Sequence, residues 1–446
     1  MSPRTLPAAR CVVPLLALAA AAAALAQPPC PPLPPPTGST VEVHPSQADQ
    51  LRAIVAAAPS GTTILLHDGL YAMDQGDATS RLVFSTPGVA LRSLSGDRDA
   101  VVLDGAYQTN ELVSIQASDV TIADLTLRRA YDHPVHVSGV AAAVTGVLLH
   151  NLRIVDPGEQ AVKINPASAV GFVDFGTLAC SEIVLTAAGR PFVRNDCYTG
   201  GIDAHAAWGW TVRRNRFAGF WCPTGLSEHA VHFWRGSRDT LVEENVIVDC
   251  VRGIGFGLGS SGDGRVYPDN PYPGVGYLGH IDGTIRNNFV AAADAALFAS
   301  DYGFDAGIAL EQARGAAVVH NTVAATEAPF SSIEWRFANT VVLLANNLVT
   351  HNLRERDGDP QATLAGNLDW VPAGWFVDVA AGDLHLEADD LPPVGAGVAL
   401  APGLADRDID RDLRDAAPDA GADEAVGPLL ADGFESGDLS AWSEIR

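Results

Sequence analysis

GGIDAHAAWGWTVRRNRFAGFW runs from Gly200 to Trp221, and HAVHFWRGSRDTLVEENVIVDC runs from His229 to Cys250. Each segment begins with a short alternating strand and continues into a second strand that ends at an asparagine. These two residues, Asn215 and Asn245, are 30 positions apart, a period typical of repeat architectures. Because each unit has two short strands, glycines at its corners and no helical periodicity, the segments predict an all-β chain, folded as a single-stranded right-handed parallel β-helix.

The pattern extends in both directions along the chain. An apolar residue, two further residues, one ladder residue, another residue and a second apolar residue recur at intervals of 26 to 43 positions. Stacked asparagine amides can hydrogen-bond to one another along the axis of such a stack. We therefore expect one corner of the solenoid to be formed by Leu125, Leu152, Ser181, Asn215, Asn245, Asn288, Asn321 and Asn347.

The two ends of the chain lie outside this repeat. The apolar run after Arg4 and Arg10 ends in a small-residue cleavage site, which predicts a secretory signal peptide and an extracellular or periplasmic protein. The predicted organisation is a signal peptide at 1–26, a Pro-rich linker at 27–40, the β-helix at 41–350, an irregular extension of the solenoid at 351–426 and a flexible tail at 427–446.

A short helix is predicted before the first coil, with Ser46 as its N-cap and Ala58 as its last residue. Its apolar face would cover the open end of the solenoid, where unpaired backbone groups are otherwise exposed. The net charge of −25 argues against nucleic acid and anionic membranes as partners. No later segment is long and apolar enough to span a bilayer, and a monomer is expected.

Five cysteines follow the predicted signal peptide, and a secreted protein can oxidise them. Cys222 and Cys250 come shortly after successive ladder asparagines, so they could stack one coil apart. Cys180 with Cys197 is a second possible pair, and the spacing alone leaves the connectivity open. The spacings do not resemble a zinc site, and no metal site is predicted.

The first strand of each coil alternates, so its second and fourth residues point outward. Coils stack about 4.8 Å apart, so outward residues of successive coils form columns. The first column contains His136, Lys163, Asp203, His232, Gly255, Ala309 and Glu334. The second column contains Ser138, Asn165, His205, Trp234, Gly257, Glu311 and Arg336.

These columns carry residues suited to catalysis. Lys163, the only lysine, neighbours Asp203, which neighbours His232. A sheet face without a function is not expected to bring a lysine, a carboxylate and an imidazole together. Gly255 and Gly257 leave bare backbone, which predicts a depression beside them. The same residues also fit a plainer interpretation, a surface ion-pair ladder that adds little stability.

Two features border this face. Trp234 offers a flat ring for stacking against a sugar, or for packing under a loop, and Arg235 follows it. The Gly-, Pro- and Tyr-rich segment Ser260–Gly279 should loop out beside the columns, either over a binding face or as a variable surface loop. We expect one concave carbohydrate-binding patch lined by Lys163, Asp203, His205, His232, Trp234 and Arg235.

The coil periodicity, the asparagine ladder and the N-terminal cap resemble the pectate-lyase-like superfamily of parallel β-helices, from Val41 to roughly Thr350. That superfamily contains polysaccharide lyases, hydrolases, epimerases and non-catalytic adhesins. Its lyases commonly use Lys or Arg as base, often with calcium, so the resemblance implies Lys163 and Arg235. Residues 41–350 lack the Asn-Thr-Asp and Gly-His-Gly signatures of polygalacturonase-type hydrolases. They also lack clustered Asp on adjacent coils, so a calcium cofactor is not supported.

The favoured hypothesis is a polysaccharide lyase acting on a uronate-containing glycan. β-Elimination needs a base, a group that neutralises the carboxylate and an acid for the leaving oxygen. Lys163 or His232 is the candidate base, Arg235 the neutralising group and His205 the acid. Asp203 would orient its neighbours and raise the pKa of Lys163, which weakens that residue as a base.

Two alternatives remain open. A glycoside hydrolase needs two carboxyl groups at a set separation, and Glu311 and Glu334 lie on adjacent coils, although Arg336 beside them favours a salt bridge. A non-catalytic glycan-binding protein needs neither. The candidate substrate-binding residues are Trp234, Asn165, Glu311, Glu334 and Arg336.

Overall fold

The computed structural model describes residues 30–168 and 170–425. The predicted signal peptide and the tail 427–446 lie outside the described residues. Successive coils each add strands to three parallel sheets, which the chain visits in the order sheet 1, sheet 2, sheet 3. The parallel β-helix with a short N-terminal helix is thereby confirmed.

The strands have the following bounds. Sheet 1 contains Thr40–Val43, Thr63–Leu66, Ala90–Ser93, Thr121–Ala123, Leu148–His150, Thr177–Ala179, Thr211–Arg213, Ser237–Arg238, Leu241–Glu243, His280–Ile281, Thr284–Arg286, Ala313–Val319, Val341–Ala345 and Gln361–Ala365. Sheet 2 contains Gly69–Ala72, Val101–Asp104, Thr126–Arg128, Arg153–Val155, Glu182–Val184, Arg216–Ala218, Val246–Val248, Phe289–Ala292, Thr322–Ala325 and Leu348–Val349. Sheet 3 contains Leu82–Phe84, Val113–Ile115, Val135–Val137, Gln160–Ile164, Gly200–His205, Val231–Trp234, Arg252–Phe256, Ala306–Glu311, Ser331–Arg336 and Leu353–Arg356.

Smaller elements lie around these sheets. A parallel pair joins Val144–Thr145 to Val173–Asp174, and an antiparallel pair joins Phe376–Asp378 to Asp383–Leu386. The α-helices are Ala48–Ala57 and Ala295–Phe298, and the 3-10 turns are Pro45–Gln47, Arg190–Phe192 and Ala373–Trp375. No helix among the described residues is long and apolar enough to cross a membrane.

The N-terminal helix buries Leu51 and Val55 against the first coil. Its predicted N-cap is wrong, because the helix begins at Ala48 and its N-cap is Gln47. Ser46 instead lies in the preceding 3-10 turn, which is held by a reciprocal bond pattern between His44 and Gln47.

The corner between sheets 1 and 2 combines a backbone turn with the amide ladder. The residue before each ladder position is left-handed, as at Arg214, Glu244 and Asn287, with φ of 55°, 55° and 51°. Nδ2 of each ladder asparagine then donates to Oδ1 of the next at 2.9 to 3.0 Å. The predicted ladder is confirmed, and it continues one coil further through Asn215, Asn245, Asn288, Asn321, Asn347 and Asn367.

The core is filled by the inward residues of the three sheets. In sheet 3 the two predicted inward positions of each coil are buried, which fixes the outward direction of the residues between them. These inward pairs are Val135/Val137, Val162/Ile164, Ile202/Ala204, Val231/Phe233, Ile254/Phe256, Ile308/Leu310 and Ile333/Trp335.

The cysteine pairs considered from spacing are wrong. The disulfides are Cys30–Cys180 and Cys197–Cys222, while Cys250 is a buried free thiol. The first bond fastens the start of the Pro-rich segment to the solenoid, and Arg92 holds the same segment by hydrogen bonds to the carbonyls of Leu33 and Pro34.

The C-terminal part of the chain folds back along the outside of sheet 2. Strands at Leu353–Arg356 and Gln361–Ala365 still belong to sheets 3 and 1, so coils continue beyond Thr350. Residues 371–425 then pack a second apolar cluster, including Phe376 and Leu384, onto Phe289 and its neighbours in sheet 2. Sheet 3 is left as the face on which the outward columns lie.

Candidate functional site

The register of sheet 3 brings the first column together as the alternation predicts. His136 pairs with Lys163, Lys163 with Asp203, Asp203 with His232 and His232 with Gly255. Further along the same column, Gly255, Ala309 and Glu334 are in register. In the second column, His205 lies beside Trp234 and Glu311 beside Arg336.

Lys163 is at the centre of a hydrogen-bonded cluster. Its Nζ contacts Oδ2 of Asp203, lies 3.1 Å from the Tyr198 hydroxyl, and lies 3.1 Å from Nε2 of His205. His205 Nε2 is also 3.2 Å from Asp203 Oδ2. Trp234 completes the group, since its Nε1 donates to the other oxygen of Asp203 at 2.8 Å.

The electrostatics of this cluster keep Lys163 and Asp203 charged. Burial acts to lower the pKa of Lys163, but the Asp203 carboxylate and the Tyr198 hydroxyl outweigh it and raise that pKa. Burial acts to raise the pKa of Asp203, but the hydrogen bond from His205 and the charge of Lys163 hold it well below its ordinary value. Lys163 is therefore a fixed ammonium group, as its pairing with Asp203 predicts.

His205 is in the opposite situation. Burial lowers its pKa, the neighbouring Asp203 only partly offsets this, and Lys163 and His232 lower it further. The imidazole is therefore neutral near pH 7. With Nε2 facing Asp203, the ring has a carboxylate to orient it, and 12% of its side chain remains accessible to solvent.

His232 lies beneath this accessible layer. Its side chain is completely buried, its ring stacks nearly parallel to that of Trp234 at 5.7 Å, and its Nε2 is 3.1 Å from the carbonyl of Gly257. Trp234 also meets His205 edge-on at 4.4 Å. The indole thus packs over the cluster, and a substrate would meet Trp234 and His205 before His232.

The other end of the face contains a second hydrogen-bonded histidine. His136 Nδ1 lies 2.6 Å from Glu111, and its Nε2 lies 2.6 Å from Oδ1 of Asn165. Burial acts to lower the pKa of His136, but Glu111 outweighs it and raises that pKa. Asn165 is half-buried and lies next to the Lys163 cluster on this surface.

The expected depression at Gly255 and Gly257 is wrong. The imidazole of His229 lies against Gly255, where an added Cβ would come within 2.7 Å of the ring. Gly257 follows the strand in a left-handed turn packed against Gly279. The opening lies one coil further on, at Ala309, where a cavity of about 170 Å³ is bordered by His229, Arg252, Asp305, Glu311, Glu334 and Arg336 among others.

The two carboxylates proposed for a hydrolase are held by arginines. Glu311 accepts from Arg336 at 3.1 Å and from the backbone N–H of Gly259 at 2.5 Å. Glu334 accepts from Arg356 at 2.8 and 2.9 Å and from the Ser331 hydroxyl. These contacts use both carboxylates as acceptors of charged hydrogen bonds.

The loop at Ser260–Gly279 leaves the C-terminal end of a sheet 3 strand. It begins beside Glu311, through Gly259, and then lies on the corner towards sheet 1, where Arg265 pairs with Asp174 at 2.6 Å. Arg235 lies on the same corner in a left-handed conformation and is exposed. Among the described residues, no hydrogen bond or ion pair joins its side chain to the Lys163 cluster.

The donors on this face do not fit calcium, which takes oxygen ligands. Asp203 is engaged by Lys163 and Trp234, and Glu311 and Glu334 by arginines. Within the described residues, two groups of three side chains could hold a metal ion: Glu228, His229 and His232, and His385, Asp410 and Asp423. Both groups contain histidine, which offers nitrogen rather than oxygen.

Several solved structures resemble this chain. Pectate lyase Pel9A aligns with a TM-score of 0.48 and 14% identity, over 87% of this chain and 97% of that one. An alginate lyase from Paenibacillus sp. str. FPU-7 also gives 0.48 and 14%, over 73% and 98%. PfbA, a surface adhesin of Streptococcus pneumoniae, gives 0.37 and 10%, over 71% and 88%. No protein-family model and no curated protein matches the sequence. These likenesses concern the fold alone, and the strand pairing itself establishes the β-helix.

Sequence patterns did not place three residues that the structure brings to this site. Tyr198 lies on the loop after Cys197, and the disulfide to Cys222 fixes that loop beside Lys163. Glu228 and His229 come from the turn before a sheet 3 strand and reach back beneath the columns. Strand alternation gives no direction for a turn residue, and the cysteine pairs considered from spacing did not include Cys197–Cys222.

Proposed function

We propose that this chain is a secreted enzyme that cleaves a uronate-containing polysaccharide by β-elimination. The observation that supports it is one contact set: a charged lysine, a neutral histidine oriented by a carboxylate, and a tyrosine hydroxyl, on the outward face of one sheet. Lys163 Nζ lies within 3.1 Å of both His205 and Tyr198. The proposal assigns one chemical role to each of the three.

Lys163 neutralises the substrate carboxylate. Removing the proton next to a carboxyl group builds negative charge on that group, and a fixed cation stabilises it most when water is excluded. The side chain of Lys163 is 7% exposed, and its raised pKa keeps it charged.

His205 is the base. In the tautomer whose Nε2–H donates to Asp203, the 3.1 Å contact of Nε2 with Lys163 Nζ is not a hydrogen bond, and Nδ1 carries a lone pair that no hydrogen bond among the described residues engages. Its lowered pKa leaves it able to accept a proton near neutral pH. Asp203 then stabilises the imidazolium that forms, as a carboxylate does beside other catalytic histidines.

Tyr198 is the acid for the leaving oxygen. Its hydroxyl accepts a hydrogen bond from Lys163, so its own proton is free to point towards the substrate. In the reaction, His205 takes the proton from the carbon next to the carboxyl group, and the electron pair forms a carbon–carbon double bond. The bond from the neighbouring carbon to the glycosidic oxygen breaks, and that oxygen takes the proton of Tyr198.

These roles differ from those suggested by the sequence. Lys163 as a cation is a poor base, and His232 is too deeply buried to touch a substrate. The exposed Arg235 and half-buried Trp234 and Asn165 border the cluster as sugar-binding positions. The hydrolase alternative lacks support because Glu311 and Glu334 are both bound by arginines.

The test is a panel of uronate polysaccharides, assayed by ultraviolet absorbance of the unsaturated product and by new reducing ends. The wild-type chain should produce both signals on at least one glycan. His205→Gln and Tyr198→Phe should each lower turnover by about 10²–10⁴-fold, the usual contribution of a positioned acid or base. Tyr272→Phe, which removes a tyrosine hydroxyl that bonds Asp282 on the loop, is the matched control and should leave turnover unchanged.

Reducing ends without absorbance would indicate hydrolysis instead. Glycan binding without either signal would favour a non-catalytic surface protein. Full activity in His205→Gln would remove the base from this assignment.

A further inference from the structure

Glu228, His229 and His232 form a compact group below Trp234. One potential ligand atom from each lies within 4.8 Å of the others, and the two imidazole rings are 4.4 Å apart. His229 and His232 are almost completely buried. All three come from a single turn and the strand that follows it, so they are held by one short piece of backbone.

The facing atoms of this group are unsatisfied. Glu228 Oε2, both ring nitrogens of His229 and Nδ1 of His232 are buried without a hydrogen-bond partner among the described residues. Leaving a buried polar group unpaired costs about 1–3 kcal/mol. A bound ion or water is one of the explanations for such an atom in a native structure.

The orientation of His232 is fixed from behind. Its Nε2 is 3.1 Å from the carbonyl of Gly257, which requires the proton on that nitrogen. Nδ1 then presents a lone pair to Glu228 Oε2, 3.2 Å away. Metal-binding histidines characteristically donate their other N–H to a backbone carbonyl in this way.

A proton between His232 and Glu228 would relieve only that pair of acceptors. It would leave both nitrogens of His229 unpaired in an almost completely buried position, while a metal ion would take one ligand atom from each of the three side chains. Gly255 supports this arrangement, because a Cβ there would come within 2.7 Å of the His229 ring. We propose that Glu228, His229 and His232 bind one transition-metal ion.

Two imidazoles and one carboxylate suit zinc and similar transition metals, whereas calcium takes oxygen ligands. Zinc bonds of about 2.0–2.2 Å place tetrahedral ligands roughly 3.4 Å apart, so ligand atoms that lie within 4.8 Å of one another have to approach by at most roughly 1.4 Å. His229 also borders the cavity next to Ala309, so the proposed site adjoins that cavity. Three protein ligands leave a coordination position open.

A second histidine–carboxylate group provides a contrast. His385 lies 2.5 Å from Asp383 through Nδ1 and 2.7 Å from Asp410 through Nε2. Both of its ring nitrogens are therefore already paired. Around His385 the histidine and carboxylate atoms are therefore hydrogen-bonded to one another. At Glu228, His229 and His232 the corresponding atoms have no hydrogen-bond partner among the described residues.

The inference is tested with metal alone, so it does not rest on the lyase activity. The purified chain is stripped with a chelator and titrated with Zn²⁺ by calorimetry, and with Co²⁺ to record the visible absorption of the bound ion. One high-affinity ion per chain is expected. Glu228→Gln and His229→Gln should each weaken Zn²⁺ binding by at least about 100-fold, since losing even a residue behind a ligand costs 10–100-fold.

His385→Gln is the matched control and should retain the affinity and the Co²⁺ spectrum of the wild type. Circular dichroism checks that each variant is folded, and Glu228→Gln decides the question if His229→Gln does not fold. No Zn²⁺ binding by the wild type, unchanged affinity in both ligand variants, or a loss confined to His385→Gln would each overturn the proposal.

Discussion

Two stacks of polar side chains run through the same coils, one inside the corner of sheets 1 and 2 and one outside sheet 3. The inner stack repeats a single residue, and each amide of Asn215 or Asn288 bonds its neighbour and the backbone. The outer stack changes at every coil, from Lys163 to Asp203 to His232. Both stacks are buried. Only the inner one could be extended by adding further coils with the same residue, because its members are identical.

This difference separates stability from function. An asparagine amide finds its hydrogen-bond partners in the ladder of any coil. The ladder therefore stabilises each corner but carries no information about the function of that coil. The outer column instead places a cation, a carboxylate and imidazoles within contact, and buried ion pairs add little net stability for their desolvation cost. Variation along a stack therefore marks the face where chemistry is expected.

The largest effect is expected at Asp203, which belongs to the outer column. Asp203→Asn should lower turnover by at least about 10³-fold, because His205 and Lys163 both lose the charge that orients them. It should also lower the free energy of unfolding by roughly 3 kcal/mol, since Lys163 is left buried without its counter-ion. Turnover and urea unfolding measure the two effects.

Asp269→Asn is the control for that variant, because Asp269 makes an ion pair with Arg238 on the exposed loop. It should change neither quantity appreciably. Normal turnover in Asp203→Asn would show that the outer column is structural after all.

The inner stack should respond in the reverse way. Asn288→Ala should lower the free energy of unfolding by about 3–4 kcal/mol, because the buried amide of Asn245 and the carbonyl of Val242 lose their partners. Turnover per folded molecule should be unchanged. Asn367→Ala, at the half-buried end of the ladder, should cost only about 1 kcal/mol, and chemical denaturation of both variants checks the gradient.

Gly255 belongs to the outer column and contacts the group formed by Glu228, His229 and His232, so a substitution there probes how the two are packed together. Gly255→Ala should push the imidazole of His229 aside and destabilise the fold by about 1–3 kcal/mol, as overpacking does. It should also weaken Zn²⁺ binding, measured by calorimetry, more than Gly374→Ala, where an added Cβ meets nothing within 4 Å. Equal Zn²⁺ affinity in the two alanine variants would mean that His229 does not depend on this space.

An effect on the pH dependence of stability alone is expected at His385, outside both stacks. Burial acts to lower its pKa, but Asp410, Asp423 and Asp383 outweigh it and raise the pKa from 6.5 to about 9. A raised folded-state pKa contributes stability below 6.5 that is lost as the pH rises towards 9. The stability difference between wild type and His385→Gln should therefore shrink over that window, and unfolding curves across it would measure the change.

Much of this architecture could be predicted because it repeats. The spacing of Asn215, Asn245 and Asn288 gave the ladder, and strand alternation gave the correct register of the outward columns. The sequence pattern did not predict Asn367 as a ladder residue, because its coil is shorter and Asn367 follows Asn347 by only 20 positions. Regular periodicity therefore predicts the stacking of coils of ordinary length, but it does not detect a shortened coil.

The site was less accessible to sequence reasoning because half of it comes from turns. Tyr198, Glu228 and His229 have no strand period to orient them, and their positions depend on the Cys197–Cys222 bond and on the space above Gly255. The disulfides could not be deduced because Cys30 reaches a cysteine 150 residues away. Contacts between distant turns are set by the folded coils and leave no local pattern.

The last coil has a consequence for self-assembly. Among the described residues, Gln361–Ala365 and Leu353–Arg356 each pair only with the strand before them, so their outer backbone edges resemble the start of another coil. A second chain that docked on these edges would extend the stack into a filament. Arg354, Glu355 and Arg356 place alternating charge on this rim, so docking would have to bury ions, and growth beyond one molecule is made costly.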